Sequence, residues 1–426
     1  MSTNNEGLKA IPKNDKKIIN GWAMFDWANS AYALVITSAI FPAYFGQVVD
    51  DDLTYLGMQF TNSSLFSFAI SFGYLVIALA LPLLTGIADY SGRKMFFMKI
   101  FTTLGSIACL SLFWFTGMEN LSLGIWGFIL ALIGFAGGQV FYNSYLPVIA
   151  SEDKLDSVSA KGFSYGYVGS VILLIINLAI IMKHEALGID QGFATRLAFF
   201  SVGIWWIGFA QISFARLPKD NPEPFSSGLL GKGFQEIKKV YGELKFLPNT
   251  RKFLIAFFFY ISGVLTVMMV ATLFADQELG MPTEKLILTV LVIQLVAILG
   301  AYLFAKISGM YGNKKSILAM LFIWICICIV AYFLQDQNKF YGLAAVVGLV
   351  MGGIQSLSRS TYAKLIPENT TDTASYFSFF DVVEKMAIMF GTLVFGYIDL
   401  ITGGMRNSVL ALIVFFVIGI GEVISE

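Results

Sequence analysis

Charged residues are scarce in this 426-residue chain, and their scarcity excludes a water-soluble protein. Asp, Glu, Lys and Arg make up 13% of the residues, whereas soluble domains carry about 25%. The mean hydropathy is +0.74, so the chain has too few polar side chains to cover a surface that faces water. An integral membrane protein is therefore predicted.

Histidine and cysteine are also rare, which argues against a metal site. The chain has one histidine, His184, and three cysteines, Cys109, Cys326 and Cys328, each within an apolar run. Cys326 and Cys328 are two residues apart and would point to nearly opposite sides of a helix. Neither a disulfide nor a metal pair is expected.

The sequence also lacks the features of nucleic-acid-binding proteins and of enzymes. The 28 Lys and Arg are balanced by 28 Asp and Glu, so there is no basic excess for nucleic acid. No nucleophile–base pair, phosphate-binding glycine loop or zinc spacing is found. The chain is therefore not predicted to be an enzyme, and no cofactor is expected. If it transports a solute, an ion gradient or the solute gradient must supply the energy for any transport.

What the chain has in abundance is apolar runs long enough to cross a bilayer, which takes about 20 residues. We number them spans 1 to 12, near residues 23–49, 64–88, 95–116, 123–147, 163–182, 196–214, 253–275, 286–307, 316–334, 340–362, 376–398 and 407–423. They predict an all-α polytopic membrane protein with about 12 transmembrane helices in two pseudo-symmetric six-helix bundles. The predicted domains are a tail (1–22), a first bundle (23–215), a linker (216–252) and a second bundle (253–426).

The positions of Lys and Arg predict the orientation. Most of them fall in the tail, the linker and alternate loops. Cytoplasmic loops are the ones enriched in these residues, so both termini are predicted to be cytoplasmic. Within the linker, residues 233–246 (GFQEIKKVYGELKF) predict an amphipathic helix on the inner membrane face, as a tether or as a regulatory surface.

Two weak repeats indicate that the bundles are related by duplication. Residues 89–94 (DYSGRK) follow span 2, and residues 309–315 (GMYGNKK) follow span 8. A Gly-Gly pair occurs in span 4, at 137–138, and again in span 10, at 352–353. In transporters built from such halves, the solute binds near the membrane midplane and the halves rock around it.

This layout and the DYSGRK loop resemble the major facilitator superfamily. Within it, residues 25–32 (FDWANSAY) are similar to the opening signature of the vacuole effluxer family, which includes fungal autophagy-related vacuolar amino-acid exporters. Residues 253–266, 352–360 and 377–381 also resemble that family's blocks. The resemblance implies a major facilitator fold and a monomeric secondary transporter that exports a small polar solute, such as an amino acid, through the bilayer. Because the family also has many bacterial members, a bacterial inner membrane is the expected location.

Departures from the superfamily's pattern leave the coupling ion open. Proton-coupled members often carry an arginine midway along span 4, where this chain has Gln139 and Asn143. The family's span 7 commonly has an acid before Gly263, and here the residue is Ser262. Simple proton coupling is therefore not expected.

The loop after span 2 contains the first candidate gating residues, Asp89, Gly92 and Arg93. Gly92 permits a tight turn, and Arg93 can pair with an acid or with helix carbonyls. Such pairs are well placed to hold one bundle against the other and to break when it rocks. The alternative is that the basic residues here only set the topology.

Spans 10 and 11 hold the densest charge within the membrane. Asp381, Glu384 and Lys385 share one side of span 11, and Arg359 lies near the inner end of span 10, within reach of them. Unpaired buried charges are costly, so mutual pairing is expected. The cluster is predicted to form an inner gate or to grip a zwitterionic solute, with Arg359 on its carboxylate. A structural network is the alternative.

Span 1 carries Asp26 and Asn29 into the membrane, where polar groups are expensive. Asp26 is interpreted as an inner-gate residue, with a helix N-cap as the alternative. Asn29, Tyr32 and Asn143, together with Arg359, are the candidates for contact with the solute in the cavity.

Two further sets are interpreted as structural. Gly162, Gly166 and Gly169 form a stripe on span 5 that permits close helix packing. Trp22 and Trp27 fit anchors at the membrane interface.

Two other functions remain open at this point. The chain could export hydrophobic compounds or lipid, or it could be a membrane sensor or assembly partner that transports nothing. The paired charges within the membrane favour transport of a polar solute.

Overall fold

Twelve helices in the described part of the chain are long and apolar enough to cross a membrane, as the sequence predicts. The computed structural model describes residues 12–222, 228–368, 370–402 and 404–425. Residues 1–11 of the predicted tail and 223–227 of the predicted linker lie outside these. Spans 1 to 12 are Lys16–Val48, Asn62–Ser91, Lys94–Trp114, Met118–Ile149, Glu152–Met182, Gln191–Arg216, Pro248–Leu279, Lys285–Tyr311, Asn313–Phe333, Gln337–Leu365, Thr373–Thr402 and Met405–Ser425.

Span 1 begins at Lys16, well before the predicted start at residue 23. The carboxylate of Asp15 caps it by accepting the backbone N–H groups of Lys17 and Ile18, at 2.7 and 3.0 Å. Asp26 therefore lies about three turns inside the helix, where it cannot be an N-cap.

Span 1 also changes its helical geometry along its length. An α-helix, Lys16–Ala31, is followed by a π-helical segment, Tyr32–Ile40, and a second α-helix, Phe41–Val48. Pro42 lies in the first turn of the second α-helix. Because proline has no N–H group and its ring crowds the preceding turn, the wider π-helical turns fit the chain just before it.

Spans 4 and 12 each contain a break, and the loop after span 1 contains a small hairpin. Span 4 comprises Leu121–Ser144 and Leu146–Ile149, and span 12 comprises Met405–Ala411 and Ile413–Ser425. Strands β1 (Asp52–Tyr55) and β2 (Met58–Thr61) pair antiparallel around a two-residue turn. The hairpin was not predicted from the sequence, and it is the only sheet among the described residues.

The spans form two bundles that meet along two seams. In the first bundle, span 1 packs against spans 5 and 6, and span 3 packs against span 4. In the second bundle, span 8 packs against span 10, and span 7 packs against spans 11 and 12. Between the bundles, span 5 contacts spans 8 and 10, which we call the 5–10 seam. Span 11 forms the other contact, mainly with span 2 and also with span 4, and we call it the 2–11 seam.

The linker contains a helix, Leu229–Leu244, that packs mainly against span 2. Gly86 of span 2 and Gly233 of the linker helix allow their backbones to touch, since a Cβ at Gly86 would lie 2.3 Å from the Gly233 carbonyl oxygen. Away from this contact, Phe234 and Tyr241 remain 63% and 56% exposed. The helix is therefore held by the protein on one side and still exposes two aromatic rings.

Candidate functional site

The polar contacts between the bundles lie toward one end of the molecule. We call the end beside the linker helix the linker end and the end with the β1–β2 hairpin the hairpin end. Hydrogen bonds that join described residues of the two bundles run from the linker end to about the middle of spans 5 and 10. The structure is thus closed at the linker end.

At the centre of the 5–10 seam, Arg359 of span 10 reaches into the first bundle. Its Nε donates to Ser159 Oγ at 3.0 Å and its Nη2 donates to the Ser159 carbonyl oxygen at 2.8 Å. Its Nη1 donates to Asp26 Oδ2 and to Asn143 Oδ1, both at 3.2 Å. Four hydrogen bonds thus attach a side chain of the second bundle to spans 1, 4 and 5 of the first.

The Arg359–Asp26 ion pair is removed from water, since each residue is 3% exposed. Asp26 Oδ2 also accepts the hydroxyl of Tyr142, at 2.6 Å. A buried charge is tolerable only when it is paired and hydrogen-bonded, and removing one partner is strongly destabilising. If the bundles separate at this seam, each of the two charges must therefore find a new partner.

Three aromatic rings surround the guanidinium. Its central carbon lies 4.9 Å from the Trp22 ring centroid, 5.4 Å from that of Tyr142 and 4.1 Å from that of Phe163. Trp22 stacks on Tyr142 at 4.4 Å, and its Nε1 donates to the Tyr142 carbonyl oxygen at 2.9 Å. Trp22 is completely buried, so its interpretation as a membrane-interface anchor is wrong.

Gly162 makes room for this arrangement. A Cβ there would lie 2.6 Å from Tyr142 Oη and 2.8 Å from both Arg359 Nη2 and Asp26 Oδ2. Real Cβ atoms do not approach that closely. The first glycine of the span 5 stripe therefore permits the ion pair itself, in addition to helix packing.

The 5–10 seam continues on both sides of Arg359. Nearer the linker end, Asp156 of span 5 accepts from Ser308 Oγ, Asn313 Nδ2 and Lys364 Nζ, at 2.8, 2.9 and 2.8 Å. Nearer the middle, Tyr167 donates to Gln355 Oε1 at 2.7 Å. Each of these bonds also crosses from one bundle to the other.

At the 2–11 seam, Asp89 near the end of span 2 binds the start of span 11. Its carboxylate accepts the backbone N–H groups of Ala374 and Ser375, at 3.3 and 2.6 Å. A negative charge is favourable at a helix N-terminus. Lys94 bridges the seam, because it lies 3.0 Å from Asp89 Oδ1 and donates to Thr373 Oγ1 at 2.6 Å.

Gly92 and Arg93, the other two candidate gating residues of this loop, lie at the turn between spans 2 and 3. Gly92 has φ +64° and ends the helix of span 2, a conformation that favours glycine. Arg93 is the residue just before span 3. The tight turn brings Asp89 and Lys94 together at the seam.

The linker helix adds contacts over the same seam. Lys239 forms ion pairs with Asp372 at 2.6 Å and with Glu236 at 2.8 Å, and Tyr376 of span 11 donates to Glu243 at 2.7 Å. The hydrogen bond to Asp372 raises the pKa of Lys239, while partial burial raises the pKa of Glu236. The linker helix therefore joins span 2 to span 11 when the linker end is closed.

Asp381, Glu384 and Lys385 form a separate group within span 11, which we call the span 11 triad. Lys385 Nζ lies 3.3 Å from Asp381 Oδ1 and 2.6 Å from Glu384 Oε2. The second Asp381 oxygen is buried and has no hydrogen-bond partner among the described residues. The hydrogen bonds of Arg359 go to the first bundle rather than to this triad, which differs from the single cluster that the sequence predicts.

Of the predicted solute contacts, Asn143 lies at the Arg359 site, whereas Asn29 and Tyr32 do not bond to it. Both are completely buried, and their side-chain polar atoms find no hydrogen-bond partner in the described residues. The Tyr32 ring lies against Phe135 and Trp206 of its own bundle. A role for Asn29 and Tyr32 in contacting the solute stays a prediction.

Five residues of the site did not stand out in the sequence, namely Tyr142, Asp156, Ser159, Phe163 and Lys364, and Trp22 was interpreted only as a membrane-interface anchor. One usable signal was the glycine stripe, because a glycine marks a place where a neighbouring group comes close. Serine and aromatic residues are too common in membrane helices to have stood out.

The fold is that of a membrane transporter of the major facilitator superfamily type. The solved structure of FucP from E. coli, a fucose:proton symporter, in its outward conformation matches with a TM-score of 0.71 at 14% identity, over 96% of this chain and 99% of FucP.

The chain belongs to the vacuole effluxer family: the family model described as "Vacuole effluxer Atg22 like" matches residues 14–425. It is 30% identical to the uncharacterized MFS-type transporter YxiO of Bacillus subtilis, over 94% of this chain and 92% of YxiO. It is 24% identical to autophagy-related protein 22 of Kluyveromyces lactis, over 97% and 94% of the two chains.

Proposed function

We propose that this protein is a secondary transporter that exports a small polar solute, an amino acid or a similar compound, by rocking its two bundles. The observation that carries the proposal is the insertion of Arg359 from the second bundle into the first. A scaffold that never moves gains nothing from a buried ion pair across its main internal boundary, whereas a transporter needs contacts that form in one state and break in the other.

In this proposal the linker end faces the cytoplasm of a bacterial cell and the structure corresponds to the outward-facing state. The Arg359–Asp26 pair forms the gate, with Asp156 and Lys364 on one side of it and Asp89 and Lys94 at the other seam. Opening the linker end breaks these contacts in turn and admits the solute from the cytoplasm.

The span 11 triad is the candidate for coupling. Two carboxylates there share one ammonium group, and Asp381 has a buried oxygen without a partner among the described residues. Such a group favours uptake of one positive charge, because an excess negative charge is costly beside the buried Asp381 and Lys385. If an ion drives export, this is where we place it.

The test is solute efflux from proteoliposomes together with a reversible cross-link across the gate. Asp156 Oδ2 and Ser308 Oγ are 2.8 Å apart and belong to different bundles. The variant Asp156→Cys/Ser308→Cys, made with the exposed Cys326 replaced by serine, should lose efflux on oxidation and regain it on reduction. The two single variants are the controls, since neither can form the cross-link.

The assay also separates the alternatives. Efflux of amino acids or similar solutes that stops on cross-linking supports the proposal. Efflux restricted to lipophilic compounds would favour the hydrophobic exporter. Binding without movement of any compound would favour the sensor. Efflux that continues through the oxidised, cross-linked protein would contradict the rocking mechanism.

A further inference from the structure

The part of the first bundle that holds Arg359 has the composition of a cation-binding site. We call it the guanidinium seat, and it consists of Trp22, Asp26, Tyr142, Asn143, Ser159 and Phe163. The atoms in it that bond to Arg359 are all acceptors: a carboxylate oxygen, an amide oxygen, a hydroxyl oxygen and a backbone carbonyl oxygen. Acceptor oxygens and ring faces both attract positive charge.

The seat and its occupant belong to different bundles. All six residues of the seat lie in spans 1, 4 and 5, whereas Arg359 lies in span 10. Rocking at the linker end must withdraw Arg359 while the seat stays intact in its own bundle. Asp26 would then be left as a buried carboxylate without its cation, a strongly unfavourable state.

Arg359 has little capacity left to bind a solute anion while it occupies the seat. A guanidinium has five N–H donors, and four hydrogen bonds to the first bundle engage its three nitrogens. This argues against the reading in which Arg359 grips the carboxylate of the solute in the closed state.

We infer that the guanidinium seat binds a cationic group of the transported solute, an ammonium or a guanidinium, and that Arg359 is a built-in competitor for it. This rests on the proposed transport function. When the linker end opens, the solute cation replaces Arg359 and compensates Asp26. When the linker end closes, Arg359 returns to the seat and displaces the solute toward the hairpin end. The competition thus couples closure of the linker end to release of the solute, while the solute gradient or an ion gradient sets the net direction of transport.

The test asks whether a free cation can replace the missing side chain. Arg359→Ala is purified and its thermal unfolding is followed with increasing ethylguanidinium, with N-ethylurea as the neutral analogue and NaCl at equal ionic strength. We expect ethylguanidinium alone to raise the unfolding temperature. Because Arg359 keeps the seat occupied in the native protein, the half-maximal concentration should be about tenfold or more higher there.

Two controls define the site. Asp26→Asn/Arg359→Ala should lose the response, because the seat then has no carboxylate. Equal stabilisation of the single and double variants, or by all three additives, would overturn the inference. So would an Arg359→Ala protein that is stabilised by acid but not by ethylguanidinium, since a proton would then be the partner of Asp26.

A second measurement does not depend on the folding of Arg359→Ala. In Asp156→Cys/Ser308→Cys, which retains Arg359, ethylguanidinium should slow formation of the cross-link by favouring the open linker end. An unchanged rate relative to N-ethylurea would contradict the inference. Neither measurement requires transport, so cation binding without efflux would remove the proposed function, and efflux without cation binding would remove only this inference.

Discussion

Two groups of charged residues within the membrane spans differ in which parts of the molecule they join. Arg359 and Asp26 are 333 residues apart and belong to different bundles. Asp381, Glu384 and Lys385 lie within five consecutive residues of one helix. In the proposed mechanism, rocking would break the first group and leave the second intact. The proposed gate is therefore the first group, although a sequence shows both simply as charges in apolar runs.

The surroundings of the two groups differ as well. The Arg359–Asp26 pair is enclosed by rings and hydrogen bonds from three spans of the first bundle. The span 11 triad leaves one Asp381 oxygen without a partner among the described residues. A group whose charges are paired across the seam favours the closed conformation, whereas a group with an unpartnered carboxylate oxygen is suited to take up an ion. This contrast supports gating by the first group and coupling by the second.

The largest effect is expected from separating the charges of the gate. Arg359→Gln leaves Asp26 buried without its cation and should destabilise the closed protein by about 3–5 kcal/mol. Asp26→Asn/Arg359→Gln removes both charges and should recover much of the loss, as measured by thermal unfolding in detergent. If the double variant loses as much as the sum of the single variants, the two residues are not coupled.

A somewhat smaller effect is expected at the span 11 triad. Lys385→Met leaves two carboxylates close together and should lower stability by about 1.5–3 kcal/mol. The double variant Asp381→Asn/Lys385→Met should regain part of the lost stability. Because the triad lies within one helix, the rate of the Asp156→Cys/Ser308→Cys cross-link should stay unchanged. A changed rate would show that the triad also takes part in the gate.

The space around the gate can be tested at Gly162. Gly162→Ala places a methyl group against Tyr142, Arg359 and Asp26 and should cost about 1–3 kcal/mol, with loss of efflux. Gly208→Ala in span 6 is the matched control, since a Cβ there meets nothing within 4 Å. Equal effects of the two substitutions would show that Gly162 is not needed for close approach.

The smallest effect is expected at the surface of the 2–11 seam. The Lys239 side chain is 51% exposed, so Lys239→Met should cost only about 0.2–1 kcal/mol, and less at high salt. Asp372 raises the pKa of Lys239, so this stabilisation is present at neutral pH and is lost as the pH rises through the raised pKa. A loss of stability comparable with that of Arg359→Gln would show that the linker helix makes the main contact that holds the linker end closed.

Much of the architecture was predictable because a bilayer imposes strong rules on sequence. Twelve spans, the two bundles and the linker helix follow from apolar length and from the spacing of charged residues. The ends of elements were less predictable. The start of span 1 at Lys16 depends on the cap made by Asp15, and polar residues at a helix start look the same as a loop.

The candidate site was predictable only in part. Asp26, Asn143 and Arg359 stood out because polar groups are costly within a membrane. Trp22 and Phe163 did not stand out, because the residue type is the same whether an aromatic ring lies beside a cation or faces lipid. Tyr32 shows the converse, since it belongs to the segment that resembles the family's opening signature and yet packs on Phe135 and Trp206 inside its own bundle.

The sequence by itself determined that this is a twelve-span membrane protein, its family and the few residues whose polarity needs an explanation. These follow from local composition, which acts over one helix length. Only the tertiary structure decided which charges are partners. Arg359 is closer along the chain to the span 11 triad than to Asp26, and helical spacing cannot show that it crosses to the other bundle. Pairing of charges depends on which helices pack together, and that is settled by the fold as a whole.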